Sequence, residues 1–122
     1  MHAFLVFLGA GLGGVLRHMV GLAITRLGSP FPWGTLTINV TGSVAMGLVV
    51  GWFAARGDVM AARLFLATGL LGGYTTFSTF SLEAVMLLER GETLQAFGYV
   101  AGSVLAGVAG LFLALLLMRQ IL

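Results

Sequence analysis

The chain has 122 residues, of which 59% are hydrophobic and only 8% carry a charge. This composition excludes a soluble single domain, because the surface of such a domain needs far more charged residues. The six arginines are scattered singly and face only four acidic residues, so the sequence pI of about 10.0 does not indicate a nucleic-acid-binding patch. The absence of cysteine removes disulfides and thiolate metal sites from consideration.

Four apolar stretches follow one another and predict four transmembrane helices. The first covers about residues 3–24, and a loop with both prolines separates it from the second, at about 34–55. The third covers about 61–88 after the turn "RGD", and the fourth covers about 94–118 after "ERGET". Because a membrane helix needs roughly 20 apolar residues, four crossings use most of the chain. We therefore expect an all-α membrane protein with a single four-helix transmembrane domain over residues 1–122.

Glycine is abundant, at 19 residues, and several glycines are spaced by four. This spacing allows two helix backbones to approach closely in lipid, although glycine is also simply common in membrane helices. We favour the packing interpretation and expect a compact bundle. The pairs concerned are Gly9 and Gly13, Gly47 and Gly51, and Gly98 and Gly102.

The arginines of the loops are nearly balanced between the two sides of the membrane. Four spans place Arg56, Arg63 and Arg119 on one side and Arg26 and Arg90 on the other. An asymmetry of Lys and Arg between loops sets the orientation of a membrane protein, and here it almost vanishes. The balance predicts insertion in both orientations and an antiparallel (dual-topology) homodimer with a two-fold axis in the membrane plane.

Polar residues in the second span share one helical face, since Thr35, Asn39 and Ser43 are each four apart. Asn39 offers two N–H donors and one carbonyl acceptor. Two interpretations stay equal on spacing alone. The line either holds helices together, at about 0.6 kcal/mol per hydrogen bond on average, or lines a pathway.

The fourth span carries a similar line. Tyr99 and Ser103 are four apart and share a face with Gly107. The two hydroxyls either follow a path through the membrane, or Tyr99 lies at the interface and Ser103 bonds back to its own helix.

The string "GGYTTFSTFS" interrupts the third span. Gly72 and Gly73, followed by Thr75 and Thr76, predict a helix broken near mid-membrane. Such a break frees backbone carbonyls, which in lipid must be satisfied by protein, water or an ion. Carbonyl oxygens at a helix break suit an alkali cation.

Aromatic and hydroxyl residues follow this break. Phe77 and Phe80 fall on one side of the resumed helix, and the edge of a Phe ring is positive enough to face an anion. Ser78 and Thr79 add O–H donors beside them. The pattern indicates a site for a small, hard anion held by neutral donors, with a Ser- and Thr-rich helix bend as the alternative.

The charged residues within the spans indicate no catalytic machinery. Arg17 lies deep in the first span and either snorkels to the interface, the commoner case, or faces a watery vestibule that attracts anions. Glu83 and Glu89 lie near the far end of the third span, with nothing that pairs them as acid and base. We expect that the chain is not an enzyme.

Three strings in this order, "GGVLRH", "WGTLTINVTGS" and "GGYTTFSTFSLE", resemble the Fluc/CrcB fluoride channels, and the resemblance covers the full chain. It implies a fluoride-selective channel of the bacterial inner membrane that passively exports cytoplasmic fluoride and so relieves its toxicity. It also implies a dual-topology homodimer with two antiparallel pores and a structural sodium ion at its centre. The implied partners are fluoride, a second copy and lipid, without nucleic acid or another protein.

The resemblance also assigns roles to residues. It implies that backbone carbonyls of Gly72 and Thr75 from both chains hold the sodium ion, and that Arg17 draws anions into a vestibule. Gly107 stands where the family often has a third hydroxyl, so this end of the line relies on water or on another residue. Glu83 matches an acidic residue near the pore, with no role that the sequence explains. The implied pore residues are Asn39, Phe77, Ser78, Thr79, Phe80, Tyr99 and Ser103.

Two other functions fit the sequence less well. A dual-topology small multidrug antiporter needs a mid-membrane carboxylate in the first span, where this chain has Arg17 and no acidic residue. A non-conducting structural subunit would not need the polar lines on the second, third and fourth spans.

Overall fold

The computed structural model describes residues 1–122 and contains only helices and loops. Three helices, α1, α2 and α6, are long and apolar enough to cross a membrane. The third helix of the bundle is divided: α3, a π-helix and α4 form a first half-helix, and α5 forms the second. This confirms the prediction of an all-α membrane protein with a broken third helix. The bounds are α1 His2–Thr25, α2 Trp33–Arg56, α3 Met60–Arg63, π-helix Leu64–Leu71, α4 Gly72–Tyr74, α5 Phe77–Glu89 and α6 Thr93–Ile121.

The break lies at Thr75 and Thr76, as predicted, whereas the two glycines that the prediction included in it are helical. Gly72 has helical angles (φ −63°, ψ −38°), whereas Thr75 (φ −80°, ψ 159°) and Thr76 (φ −150°, ψ 120°) are extended. Gly73 is needed for a different reason: a Cβ there would lie 2.7 Å from Ala10 Cα in α1. Gly73 therefore brings two helices together, and the threonines make the break.

The first half-helix packs along α1 through backbone contacts. A Cβ on Gly9 would lie 2.8 Å from Leu70 N, and a Cβ on Gly13 would lie 2.7 Å from Tyr74 N. Real Cβ atoms do not approach backbone this closely, so both positions require glycine. The pair Gly9 and Gly13 thus packs as its spacing predicts.

The helices α2 and α6 run in the same direction and pack along much of their length. A Cβ on Gly47 would lie 2.8 Å from Ala114 Cβ, and one on Gly51 would lie 2.6 Å from Met118 Cβ. This second glycine pair also packs as predicted. The third pair does not, because a Cβ on Gly98 or Gly102 meets nothing within 4 Å. Both lie on a face of α6 that no other helix of the chain covers.

The second half-helix, α5, packs mainly against α6 and makes fewer contacts with α2. Its Leu87 joins Ala96 and Tyr99 of α6 in a small buried cluster. The two halves of the third helix therefore have different main neighbours, α1 for the first and α6 for the second, while α2 contacts both. Elsewhere many large apolar side chains are exposed, such as Phe97 and Leu105, as the lipid-facing surface of a multi-pass membrane protein requires.

Candidate functional site

The side chain of Asn39 in α2 holds the break through two hydrogen bonds. Its Nδ2 donates to Thr76 O at 2.9 Å, and the Thr76 amide donates to Asn39 Oδ1 at 2.8 Å. An uninterrupted helix would instead use the Thr76 amide to bond Gly72 O, four residues earlier. The side-chain amide of Asn39 thus supplies hydrogen bonds that the interrupted helix lacks. Because the Thr76 amide bonds Asn39, it does not bond Gly72 O.

The threonines at the break satisfy the ends of both half-helices. Thr76 is the N-cap of α5, where its Oγ1 accepts a hydrogen bond from Thr79 N at 3.3 Å and donates to Thr79 Oγ1 at 3.1 Å. The hydroxyl of Thr75 donates back to Leu71 O at 2.9 Å. The hydroxyls nearest the break therefore serve its structure, because each bonds within its own half of the helix or across the cap.

Arg17 extends from α1 toward the break. Its guanidinium Nη1 donates to Thr75 O at 3.3 Å, and the residue is half-buried. Arg17 also lines a cavity of about 290 Å³ together with Thr35, Thr76 and Thr79. The side chain thus faces the protein interior, with its positive charge beside the carbonyl that follows the first half-helix.

The aromatic residues of α5 have unequal surroundings. Phe77 is 79% exposed, whereas Phe80 is half-buried and its ring centroid lies 5.1 Å from that of Tyr99. The two Phe rings are neighbours, with centroids 5.8 Å apart. Ser78 is exposed beside them. Of these two phenylalanines, only Phe80 also packs against the ring of Tyr99 in its own chain, and the ring of Phe77 faces outward.

Glu83 joins three helices in a cluster that the sequence analysis missed. Its Oε1 accepts from Thr35 Oγ1 of α2 at 2.9 Å, and its Oε2 accepts from the Tyr99 hydroxyl of α6 at 2.7 Å. Tyr99 is fully buried. The structure thus gives Glu83, whose role the sequence does not explain, two hydrogen-bond partners from other helices. One signal was available: Glu83 is three residues after Phe80 and so shares its face of α5.

The polar lines of α2 and α6 face each other in register. Thr35 and Tyr99 meet at Glu83, and a Cβ on Gly107 would lie 3.4 Å from Ser43 Oγ. Since the helices run parallel and both lines have a spacing of four, Asn39 and Ser103 occupy the level between these contacts.

Ser103 Oγ is buried and has no hydrogen-bond partner within the chain. It does not bond back to its own helix, which was the alternative interpretation of this residue. A buried hydroxyl without a partner is costly in lipid, so this group is available to a water or an ion.

A cavity of about 330 Å³ opens at the break between α2, α6 and the start of α5. Asn39 and Thr76 lie at its wall together with Phe77, and Ser43 extends the wall along α2. No charged side chain lines it: its polar groups are the Asn39 amide, which keeps one N–H free, and hydroxyls whose protons now bond protein acceptors. Such a site can exchange the water shell of a small anion for neutral hydrogen-bond donors.

A helical bundle with a broken third helix and a neutral polar site at the break defines a small polytopic membrane protein. The chain belongs to the family described as "CrcB-like protein, Camphor Resistance (CrcB)", which it matches over residues 4–115. It is 60% identical over 121 residues to the "Fluoride-specific ion channel FluC" of Methylobacterium nodulans, with 98% of each chain covered. Proteins of the same name from Methylobacterium sp. (strain 4-46) and Hyphomonas neptunium are each 54% identical, over 121 and 125 residues, with at least 98% of each chain covered.

Proposed function

We propose that the chain is a fluoride-selective ion channel that passively exports cytoplasmic fluoride from bacteria. The observation that carries the proposal is the neutral polar cavity at the break of the third helix, in a chain whose full-length relatives are named fluoride-specific ion channels. These names describe channels, so the proposed activity is transport without catalysis.

The proposed path follows the facing polar lines of α2 and α6. Ser103 contributes a buried hydroxyl without a partner, and Asn39 keeps one N–H beyond the one that Thr76 O occupies. Arg17 serves as the vestibule residue that attracts anions, since its positive charge borders a cavity. The other proposed lining residues are Phe77, Ser78, Thr79, Phe80 and Tyr99.

Selectivity for fluoride follows from the hydrogen-bond chemistry of a small anion. Fluoride holds its water tightly, so a path must offer replacement donors at short intervals. Hydroxyl and amide groups supply these donors without a cation that would trap the ion. Hydrogen fluoride crosses membranes as a neutral molecule and ionises inside, after which the inside-negative potential drives fluoride out with about 2.3 kcal/mol per charge per 100 mV.

We propose that two antiparallel copies form the channel, with two pores per dimer, in the bacterial inner membrane. Each copy would contribute one four-helix transmembrane domain over residues 1–122. The near balance of loop arginines supports insertion in both orientations. The exposed ring of Phe77, directly beside the break, supports a second chain covering this region.

The carbonyls at the break have the chemistry of a sodium site. Gly72 O has lost its helical donor because the Thr76 amide bonds Asn39. Thr75 O accepts only the long 3.3 Å contact from Arg17 and retains a lone pair. We therefore propose that Gly72 and Thr75 of both chains hold a structural sodium ion, whose positive charge would satisfy the freed carbonyls at the dimer centre.

Fluoride efflux tests the channel proposal directly. Liposomes that contain the purified protein and are loaded with potassium fluoride should release fluoride when valinomycin removes the counter-charge. The same liposomes loaded with potassium chloride should keep their chloride. Protein-containing liposomes that retain fluoride, while a known fluoride channel releases it under the same conditions, would disprove the function.

Sodium coordination can be tested at Thr75. Because the proposed ligand is the backbone carbonyl, Thr75→Ser should bind sodium as the wild type does. Serine can also keep the hydrogen bond of this hydroxyl to Leu71 O. Equilibrium binding of radioactive sodium to the purified dimer gives the measurement, and Thr75→Val extends it by removing the hydroxyl. Both variants should therefore keep sodium. Loss of sodium from Thr75→Val but not from Thr75→Ser, in dimers that remain intact, would identify the side-chain hydroxyl as the ligand.

A further inference from the structure

We infer that Ser43 is a further lining residue of the ion path and supplies from α2 the hydroxyl that α6 lacks at Gly107. The inference rests on the proposed channel function and deepens it. The line on α6 presents hydroxyls at Tyr99 and Ser103 and then, one turn further on, no side chain at Gly107. The α6 line therefore offers no side-chain donor to an anion at that level.

The geometry places Ser43 at this level. A Cβ on Gly107 would lie 3.4 Å from Ser43 Oγ, closer than most real Cβ contacts. A hydroxyl carried by residue 107 would therefore reach the space that Ser43 Oγ already borders. Because residue 107 is glycine, only the Ser43 side chain of α2 borders this space. The two helices together therefore supply one hydroxyl at this level.

The surroundings of Ser43 fit a lining role. The residue is half-buried and belongs to the wall of the 330 Å³ cavity that also contains Asn39, Thr76 and Phe77. Its Oγ donates to Asn39 O at 2.7 Å. A hydroxyl can rotate this proton toward another acceptor, and a hydrogen bond to an anion is stronger than one to a neutral carbonyl. Ser43 can thus release the backbone and bond a passing anion.

The next residue of the α6 line beyond Gly107 is Leu111, which also lines this cavity and offers no donor. Without Ser43, an anion leaving Ser103 would pass two consecutive levels of α6 without a hydrogen-bond donor from the protein. Such a stretch raises the barrier for a dehydrated ion. The hydroxyl of Ser43 shortens the stretch without a donor by one helical turn.

The test is fluoride efflux from liposomes, measured per folded dimer. Ser43→Ala should slow fluoride efflux about tenfold, because one hydrogen bond to a charged group is lost at the barrier. Ser81→Ala is the matched control, since Ser81 also bonds the carbonyl four residues earlier, at 2.9 Å, but lies outside the cavity. This control should conduct at the wild-type rate. Equal rates in Ser43→Ala and wild type would overturn the inference.

A double variant that exchanges the residues at positions 43 and 107 separates the loss of the hydroxyl from other effects of Ser43→Ala. In Ser43→Gly/Gly107→Ser the hydroxyl moves to α6 but stays at the same level, so efflux should recover to within about threefold of wild type. A folded swap variant as slow as Ser43→Ala would show that the hydroxyl at this level is not what the ion uses, and would overturn the inference. A wild type that does not conduct would overturn the proposed function and this inference together.

Discussion

Replacing Asn39 with aspartate should abolish fluoride flux while leaving an assembled protein. The Asn39 amide both donates to Thr76 O and accepts from Thr76 N. Aspartate keeps the acceptor but turns a second carboxylate oxygen toward Thr76 O, where a donor is required. The new negative charge also lies at the wall of the proposed anion path. One substitution therefore weakens the support of the break and repels the ion.

The expected loss of flux is at least about a hundredfold. A buried backbone group without its partner costs about 1–3 kcal/mol, and about 1.4 kcal/mol corresponds to a factor of ten in rate. An unpaired carboxylate inside the membrane adds a larger penalty. Liposome efflux at neutral pH, normalised to dimer content, gives the measurement.

Gln95→Glu is the matched control for this experiment. It makes the same amide-to-carboxylate change at an exposed position in the first turn of α6, where a negative charge suits the helix N-terminus. This variant should keep nearly the wild-type flux. If Asn39→Asp also conducted like the wild type, Asn39 would not belong to the path.

Gly13→Ala should destabilise the bundle strongly, whereas Gly14→Ala should not. A Cβ on Gly13 would lie 2.7 Å from Tyr74 N, and the neighbouring backbone atoms of Leu70 are also too close. These are backbone atoms of the first half-helix, so relief requires the whole helix to move. Overpacking of this kind costs about 1–3 kcal/mol or more. At Gly14 a Cβ meets nothing within 4 Å.

Melting of the two variants in detergent, followed by size-exclusion chromatography after heating, measures this difference. Both substitutions add one methyl group to the same turn of α1 and raise helix propensity equally. Only the contact with the first half-helix distinguishes them. Equal melting temperatures for Gly13→Ala and Gly14→Ala would show that the close approach of these helices does not limit stability.

The fold could be predicted in outline because the length of each apolar stretch can be read directly from the local sequence. The four apolar stretches, the loops with glycine or proline between them and the interruption near Thr75 are all visible in the sequence. What could not be predicted is the support of the break. This support is the side chain of Asn39, which reaches Thr76 from another helix, and no local pattern in the third span reports that contact.

The same reason explains what could not be predicted at the candidate site. The sequence does not explain the role of Glu83 because its two donors, Thr35 and Tyr99, come from helices far away in the chain. Spacing placed the polar lines on single faces of α2 and α6 but did not show that the two faces meet. Likewise, the spacing of Gly98 and Gly102 matched that of the glycine pairs that do pack, and only the arrangement of the helices shows which faces are covered.

The divided third helix has a mechanical consequence. Its first half packs mainly on α1 and its second half mainly on α6, and the two halves are joined at Thr75 and Thr76. These two extended residues form a hinge, which the two hydrogen bonds of the Asn39 amide hold in place. The carbonyls proposed for sodium lie at or just before this hinge, and the proposed anion path runs beside it. Because α2 carries Asn39 and also contacts both halves, a displacement of one half would reach the other through the hinge and through α2.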